Sequence, residues 1–202
     1  MISLAMLVKD PPLDRLELLL AYVAPVVGQT VIVWDDRSTV PCPLGPEIVP
    51  FTWIDDFSAA RNAALPYIKG DWTLWLDPDE LPMPAMLDFL RAVDASPWGD
   101  VEWFGSWHPS PRGYLFHRAD LPAATATEGE DHWHLRLFRS GHGRWYRPLH
   151  ELVAIDGRPE PRDTAILPKA PFACGLWHSR PETADRAELY DRISKAHPEM
   201  NL

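Results

Sequence analysis

Residues 71–80, Asp-Trp-Thr-Leu-Trp-Leu-Asp-Pro-Asp-Glu, constrain this chain more than any other stretch, because an apolar run ends there in a knot of carboxylates. Trp72 to Leu76 has the length and the aromatic and β-branched content of a buried strand, and Pro78, with no N–H to donate, stops its ladder. Asp77, Asp79 and Glu80 are thereby set at the carboxyl end of a core strand. Ligands of open α/β sheets bind at that end, and hard oxygen ligands there suit Mg²⁺ or Mn²⁺ carrying a phosphorylated substrate. Acids at such a turn also serve as caps and first-turn charges for a helix, here one starting near Pro82. The segment by itself leaves both readings open.

The upstream segments repeat the pattern. Ile2 to Asp10 opens the chain as a strand, Leu13 to Val27 carries helix-spaced apolar residues, and Val31 to Trp34 is a second strand running into Asp35-Asp36-Arg37-Ser38-Thr39. A third stretch, Asp55-Asp56-Phe57-Ser58-Ala59-Ala60-Arg61-Asn62, reads as acids opening a helix capped by Asp56 or Ser58, and Gly70 closes it before the Trp72 strand. This is a β-α-β order with acids at the strand exits.

Taken in order, strand, helix, strand-Asp-x-x-Ser-Thr, Asp-Asp-Phe-Ser-x-Ala-Arg-Asn and Gly-Asp-Trp-x-Leu-x-Leu-Asp-x-Asp-Glu, the chain resembles the glycosyltransferase family 2 group of nucleotide-sugar transferases. The likeness runs from residue 2 to about residue 81, with a shorter continuation in His134 to Arg139, Pro148-Leu149-His150-Glu151 and Trp177-His178. Pro78 departs from the small residue usual in the acidic turn, and Asp10-Pro11-Pro12 from the Asn-Glu common in the first loop. The resemblance implies an α/β GT-A fold, a mixed central sheet flanked by helices, with residues 1–202 forming a single catalytic domain. Within it, 1–81 would be the nucleotide-sugar-binding half and 82–202 the acceptor half.

The same resemblance implies a metal-dependent transferase that moves a hexose or N-acetylhexosamine from a nucleotide-diphosphate donor, a UDP-sugar, to a hydroxyl. Asp79 would ligate Mn²⁺ or Mg²⁺, with Asp77 nearer the ribose or a metal-bound water, and His178 would complete the shell and favour manganese. Asp35 or Asp36 would accept the base N–H of uracil, and Arg61 would lie near the diphosphate or pair with the acidic cluster. An inverting transfer needs a base for the acceptor hydroxyl, for which Glu151 is the first choice and His150 the second. Each has a plain local alternative: an Asx turn at Asp35 or Asp36, a surface arginine at Arg61, a structural histidine at His178, a strand-edge ion pair at Glu151, and a helix cap at Glu80.

Composition narrows the partners. A formal net charge of −10 argues against a general nucleic-acid binder, because duplex affinity rests on Lys and Arg at phosphates. Arg136, Arg139, Arg144 and Arg147 read as a solvated strand face or a local basic patch. Cys42 and Cys174 lack CxxC spacing, so no zinc motif or disulfide framework is expected and a reducing cytoplasm is the default. Leu16 to Val27 is too short to cross a bilayer and contains Glu17, so no membrane span is expected. Prolines at Pro109–Pro111, Pro159–Pro161 and Pro168–Pro171 predict a loop-rich second half with short strands, and acceptor loops there. The ten tryptophans read mainly as core.

The acceptor stays open among a saccharide, a protein side chain and a modified DNA base. Two other functions fit less well. A catalytically degenerate nucleotide-sugar or glycan-binding module has no need of Asp77, Asp79, His150, Glu151 and His178 together. Nucleotidyl transfer calls for an early Gly-rich phosphate loop, and Val8 to Pro12 is not one.

Overall fold

The computed structural model describes residues 1–42, 45–96, 101–103, 106–108, 111–120, 133–159, 167–178 and 184–198. In chain order the strands are β1 (Ile2–Val8), β2 (Gln29–Asp35), β3 (Glu47–Phe51), β4 (Trp72–Trp75), β5 (Glu80–Pro82), β6 (Val101–Trp103), β7 (Ser106–His108), β8 (Gly113–Asp120), β9 (Trp133–Arg139), β10 (Gly143–Tyr146), β11 (Leu152–Ile155), β12 (Arg158–Pro159) and β13 (Leu176–His178). The α-helices are α1 (Leu13–Val23), α2 (Phe57–Asn62), α3 (Pro84–Ala95) and α4 (Ala184–Ala196).

Period-two burial organises the main sheet. In β1, Ile2, Leu4, Met6 and Val8 pack on one face with Leu16, Leu19 and Val23 of α1 and Phe89, Leu90 and Val93 of α3. Ala5 turns to the other face, which carries Trp75, Phe138, Trp145, Val153 and Ile155. The helix read as Leu13 to Val27 ends at Val23, because Pro25 tightens its last turn into a 3₁₀ segment, Ala24–Val26. Gly70 is required by close approach: a Cβ there would lie 2.6 Å from Met1 O and 2.7 Å from Ser3 Oγ.

The sheet order is β3-β2-β1-β4-β9-β8-β13-β5. The first four strands are parallel; β9 is antiparallel to β4 and to β8, β13 is parallel to β8, and β5 closes antiparallel on β13. β5 follows β4 after one tight turn yet stands at the opposite end of the order, so the sheet curls back on itself. That curl holds the acidic turn between the two arms of the sheet.

Two local expectations are corrected. Glu80 begins β5, and α3 starts only at Pro84, so Glu80 caps no helix. The second half is not limited to short strands: β8 has 8 residues and β9 has 7, and both are built into the main sheet. Pro111 and Pro168 lie outside the strands, so they bound the ladder rather than interrupt it. The turn at Ser140 to His142 leads from β9 in the main sheet to β10, which pairs with β11 in a separate three-stranded one. Of the proline clusters, residues 109, 110, 160 and 161 lie outside the described residues, as do 179–181 between β13 and α4. No helix among the described residues is long and apolar enough to cross a membrane.

Candidate active site

The acidic turn is built at the exit of β4, whose four residues are all buried. Glu80 N donates to Asp77 O at 3.0 Å, and Asp77 N donates to Glu80 Oε2 at 3.0 Å, so the turn is closed by backbone and side chain together. β5 then pairs with β13 in a register that sets His178 opposite Glu80. As a result His178 Nε2 stands 3.6 Å from Asp79 Oδ2, and both side chains stay partly open, at 13% and 18%. Two residues singled out as metal ligands thus meet through the closing strand pair.

Asp77 faces the other way, into two arginines. Arg61 Nη1 donates to Asp77 Oδ1 at 2.7 Å and Nη2 to Oδ2 at 3.3 Å, Arg136 Nη2 approaches Oδ2 at 3.4 Å, and Trp75 Nε1 reaches Oδ1 at 3.2 Å. Burial would raise the Asp77 carboxyl, but the guanidiniums of Arg61 and Arg136 outweigh it and hold the group well below the usual carboxylate range. Arg136 also grips Glu80, which is 2% exposed. Burial, with the charges of Asp77 and Asp79, pushes Glu80 up against the pull of Arg136. The contact with Arg136 makes Glu80 its buried partner.

Arg61 bridges this cluster to Glu151. It sits at the end of α2, a helix capped by the Asp56 side chain accepting from Ala59 N at 2.9 Å. Its guanidinium carbon lies 4.8 Å from the ring centroids of both Trp75 and Trp145, and only 7% of the residue is exposed. From that slot Nε donates to Glu151 Oε1 at 2.6 Å, and Nη2 lies 2.5 Å from the same oxygen as an ion pair. Glu151 Oε2 accepts no hydrogen bond among the described residues. Of the two roles the resemblance implied for Arg61, the pairing with acids is the one the contacts describe.

Asp35 is 2% exposed at the end of β2. It accepts from the backbone N–H of Arg37 at 2.9 Å and is gripped by that side chain. Burial would raise its carboxyl, but the hydrogen bonds from Arg37 hold it below the ordinary range. Asp36 is exposed and accepts from Thr52 Oγ1 at 2.6 Å. Asp10 joins the first loop to this one, accepting from Thr39 N at 2.5 Å. The exits of β1, β2 and β4 therefore lie together where strand order reverses about β1, the usual crevice of such sheets.

His150 is exposed, has a φ of 51°, and meets the Tyr190 ring of α4 edge-on at 6.0 Å. Tyr190 also meets Phe57 at 6.1 Å, and Arg192 makes two 2.7 Å contacts with Asp55. α4 thus contacts both the loop before α2 and the turn that carries His150 and Glu151.

Two site residues escaped the sequence reading. Arg136, taken for a solvated face or patch, is 4% exposed and belongs to the acid cluster. Its signal was phase: it alternates with Leu135 and Leu137 and so shares a face with the buried Phe138. Trp145 forms the second wall of the Arg61 slot, a position no local pattern announces.

Among the described residues no three His, Cys, Asp or Glu side chains converge to hold a metal. Asp79 and His178 nonetheless fit a divalent cation that draws its remaining ligands from phosphate oxygens and water, as Mg²⁺ and Mn²⁺ sites with one or two protein ligands do. Their 3.6 Å separation exceeds a hydrogen bond yet lets both reach one ion. Asp77, engaged by Arg61 and Arg136, fits a ligand role less well.

No family model matches the chain. A TPR repeat-containing protein of Synechococcus elongatus is 30% identical over 158 residues, which is 75% of this chain. The chain spans 35% of that protein's length. Among solved structures, S. aureus TarS 1–349 superposes with a TM-score of 0.56 at 12% identity, covering 96% of this chain and 64% of that one. The same TarS fragment in complex with UDP-GlcNAc gives 0.59, also at 12% identity, covering 96% and 65%. The chain has the GT-A fold: a curled mixed sheet flanked by helices, as in these TarS structures.

Proposed function

We propose that this chain is a glycosyltransferase that takes a sugar from a nucleotide-diphosphate donor, a UDP-sugar, and passes it to a hydroxyl with inversion. The observation that carries the reading is the Arg61 bridge: one buried guanidinium joins Asp77 of the acidic turn to Glu151, with Asp79 and His178 beside that turn. The TarS complex with UDP-GlcNAc supports the donor class.

In this mechanism Asp79 and His178 would hold a divalent cation, which when bound neutralises charge developing on the leaving diphosphate. Arg61 and Arg136 keep Asp77 ionised and fixed, so the acidic turn is rigid before the donor arrives. Glu151 is held by Oε1, which leaves Oε2 to take the proton of the acceptor hydroxyl. The hydroxyl oxygen forms its bond to the anomeric carbon as the bond to the diphosphate breaks. Donor hydrolysis followed by mass spectrometry over a panel of nucleotide sugars with Mn²⁺ tests the proposal. Release of UDP from one donor supports it, and inertness toward the whole panel together with no nucleotide binding rejects it.

A further inference from the structure

The turn that leads to Glu151 is held from outside. Arg147 has a φ of 72° and His150 one of 51°, left-handed backbone that a non-glycine residue adopts where its surroundings impose it. α2 supplies those surroundings from both of its ends. Its first residue, Phe57, donates its N–H to Pro148 O at 2.9 Å, inside the turn. Its last residue, Asn62, grips the backbone of Trp145 with its side chain: Nδ2 donates to Trp145 O at 2.8 Å, and Oδ1 accepts from Trp145 N at 2.9 Å. Arg61, between them, reaches Glu151 itself.

The clamp demands an amide. The Trp145 N–H and C=O have fixed polarity, so one side chain that satisfies both must accept at one atom and donate at another, as the peptide of a neighbouring strand would. β10 pairs with β11 and ends the order of the three-stranded sheet, so Asn62 stands in for a second neighbour at its open edge. Two lines of support for the site meet at Trp145. Its ring is one wall of the Arg61 slot, and its chain runs through the left-handed turn to Glu151, six residues on. Asn62 makes no hydrogen bond to Asp77, Asp79, Glu151 or His178 among the described residues, so it acts on the site through Trp145.

We infer that Asn62 is a positioning residue for the transfer: by clamping the Trp145 backbone it fixes where Glu151 stands relative to Asp77 and the acidic turn. The inference rests on the transferase reading above, with Glu151 as base. A shift of about 1 Å in a reacting group can cost about 10²-fold in rate, so loss of the clamp should show in turnover and not in donor binding.

Asn62→Ala and Asn62→Asp, each alone and combined with Glu151→Gln, test this by nucleoside diphosphate release over the same nucleotide-sugar panel with Mn²⁺, together with hydrogen exchange of the Trp145 amide. Asn62→Ala should speed that exchange and lower kcat by about tenfold or more, with donor KM within about twofold of wild type. Asn62→Asp keeps the volume and the acceptor but sets a carboxylate oxygen against Trp145 O. It should lose turnover too, and it carries the test if the alanine variant does not fold. In the Glu151→Gln background neither substitution should cost more than about twofold further, because the effect runs through the base. Wild-type kcat in both single variants overturns the inference, and so does an equal fractional loss with and without Glu151→Gln, or a loss confined to donor KM. If wild type turns over no member of the panel, the transferase reading falls and this inference with it, an outcome distinct from an active wild type that tolerates loss of the clamp.

Discussion

Arg61 donates through Nε to Glu151 Oε1 at 2.6 Å across a separation of 90 residues, and through Nη1 to Asp77 Oδ1 at 2.7 Å. The contact turns three separate sequence motifs into one ionic unit. Its burial decides its energetic weight. The Arg192–Asp55 pair, with side chains 57% and 36% exposed, belongs to the class of surface ion pairs that contribute about 0–1 kcal/mol. Arg61, at 8%, belongs to the class in which losing one partner strands buried charge.

Arg61→Ala is therefore expected to lower the free energy of unfolding by about 3–5 kcal/mol, read from urea denaturation with the slope unchanged. Arg61→Lys should fall between, because one ammonium cannot span both carboxylates. A loss below about 1 kcal/mol for the alanine variant would place the bridge with ordinary surface pairs.

The two free thiols should separate by pH. Burial pushes the Cys174 thiol up to about 11, and Sγ donates to Ala85 O at 3.4 Å. A thiol whose folded value lies above its ordinary one ionises first in the unfolded chain, so stability falls as pH rises from about 9 to about 11. Cys174→Ala should flatten that alkaline limb in thermal melts. Near pH 8 a thiol reagent should label half-buried Cys42 in the native protein and Cys174 only on unfolding. Equal labelling rates for the two would contradict this account of Cys174.

What the sequence made legible was local. β1, β2 and β4 are read from apolar patterns within a few residues, and the cap of α2 is narrowed to Asp56 or Ser58 from their place at the helix start, Asp56 being the one that caps it. Pairing between distant segments was not legible. That β13 would lie against β5, and so carry His178 to Asp79, depends on how the sheet curls, a property of the assembled strands. Glu80 and Arg136 were misread for the same reason. Each looks like a surface charge until the other buries it.

Asp79→Ala and His178→Ala should each weaken Mn²⁺-dependent UDP binding while leaving the far-ultraviolet spectrum unchanged, because both side chains lie at the turn rim and outside the apolar core. Calorimetry of UDP with and without Mn²⁺ reads this directly. Affinity independent of the ion in wild type and in both variants would remove the cation from the mechanism.

Glu151→Gln separates binding from chemistry. The amide oxygen can still accept from Arg61, whose hydrogen bond goes to Oε1, so the slot between Trp75 and Trp145 should stay intact. What the substitution removes is the proton-accepting capacity at Oε2. Donor and Mn²⁺ affinity should then persist while turnover falls by about 10² to 10⁴, the usual contribution of a positioned base. His178→Ala should fail in the opposite order, losing ion-dependent binding before the chemical step. NMR of the product should show the anomeric configuration inverted. Wild-type turnover in Glu151→Gln, or a retained anomer, would end the assignment of Glu151 as base; His150, its exposed neighbour facing Tyr190, would be the next residue to substitute.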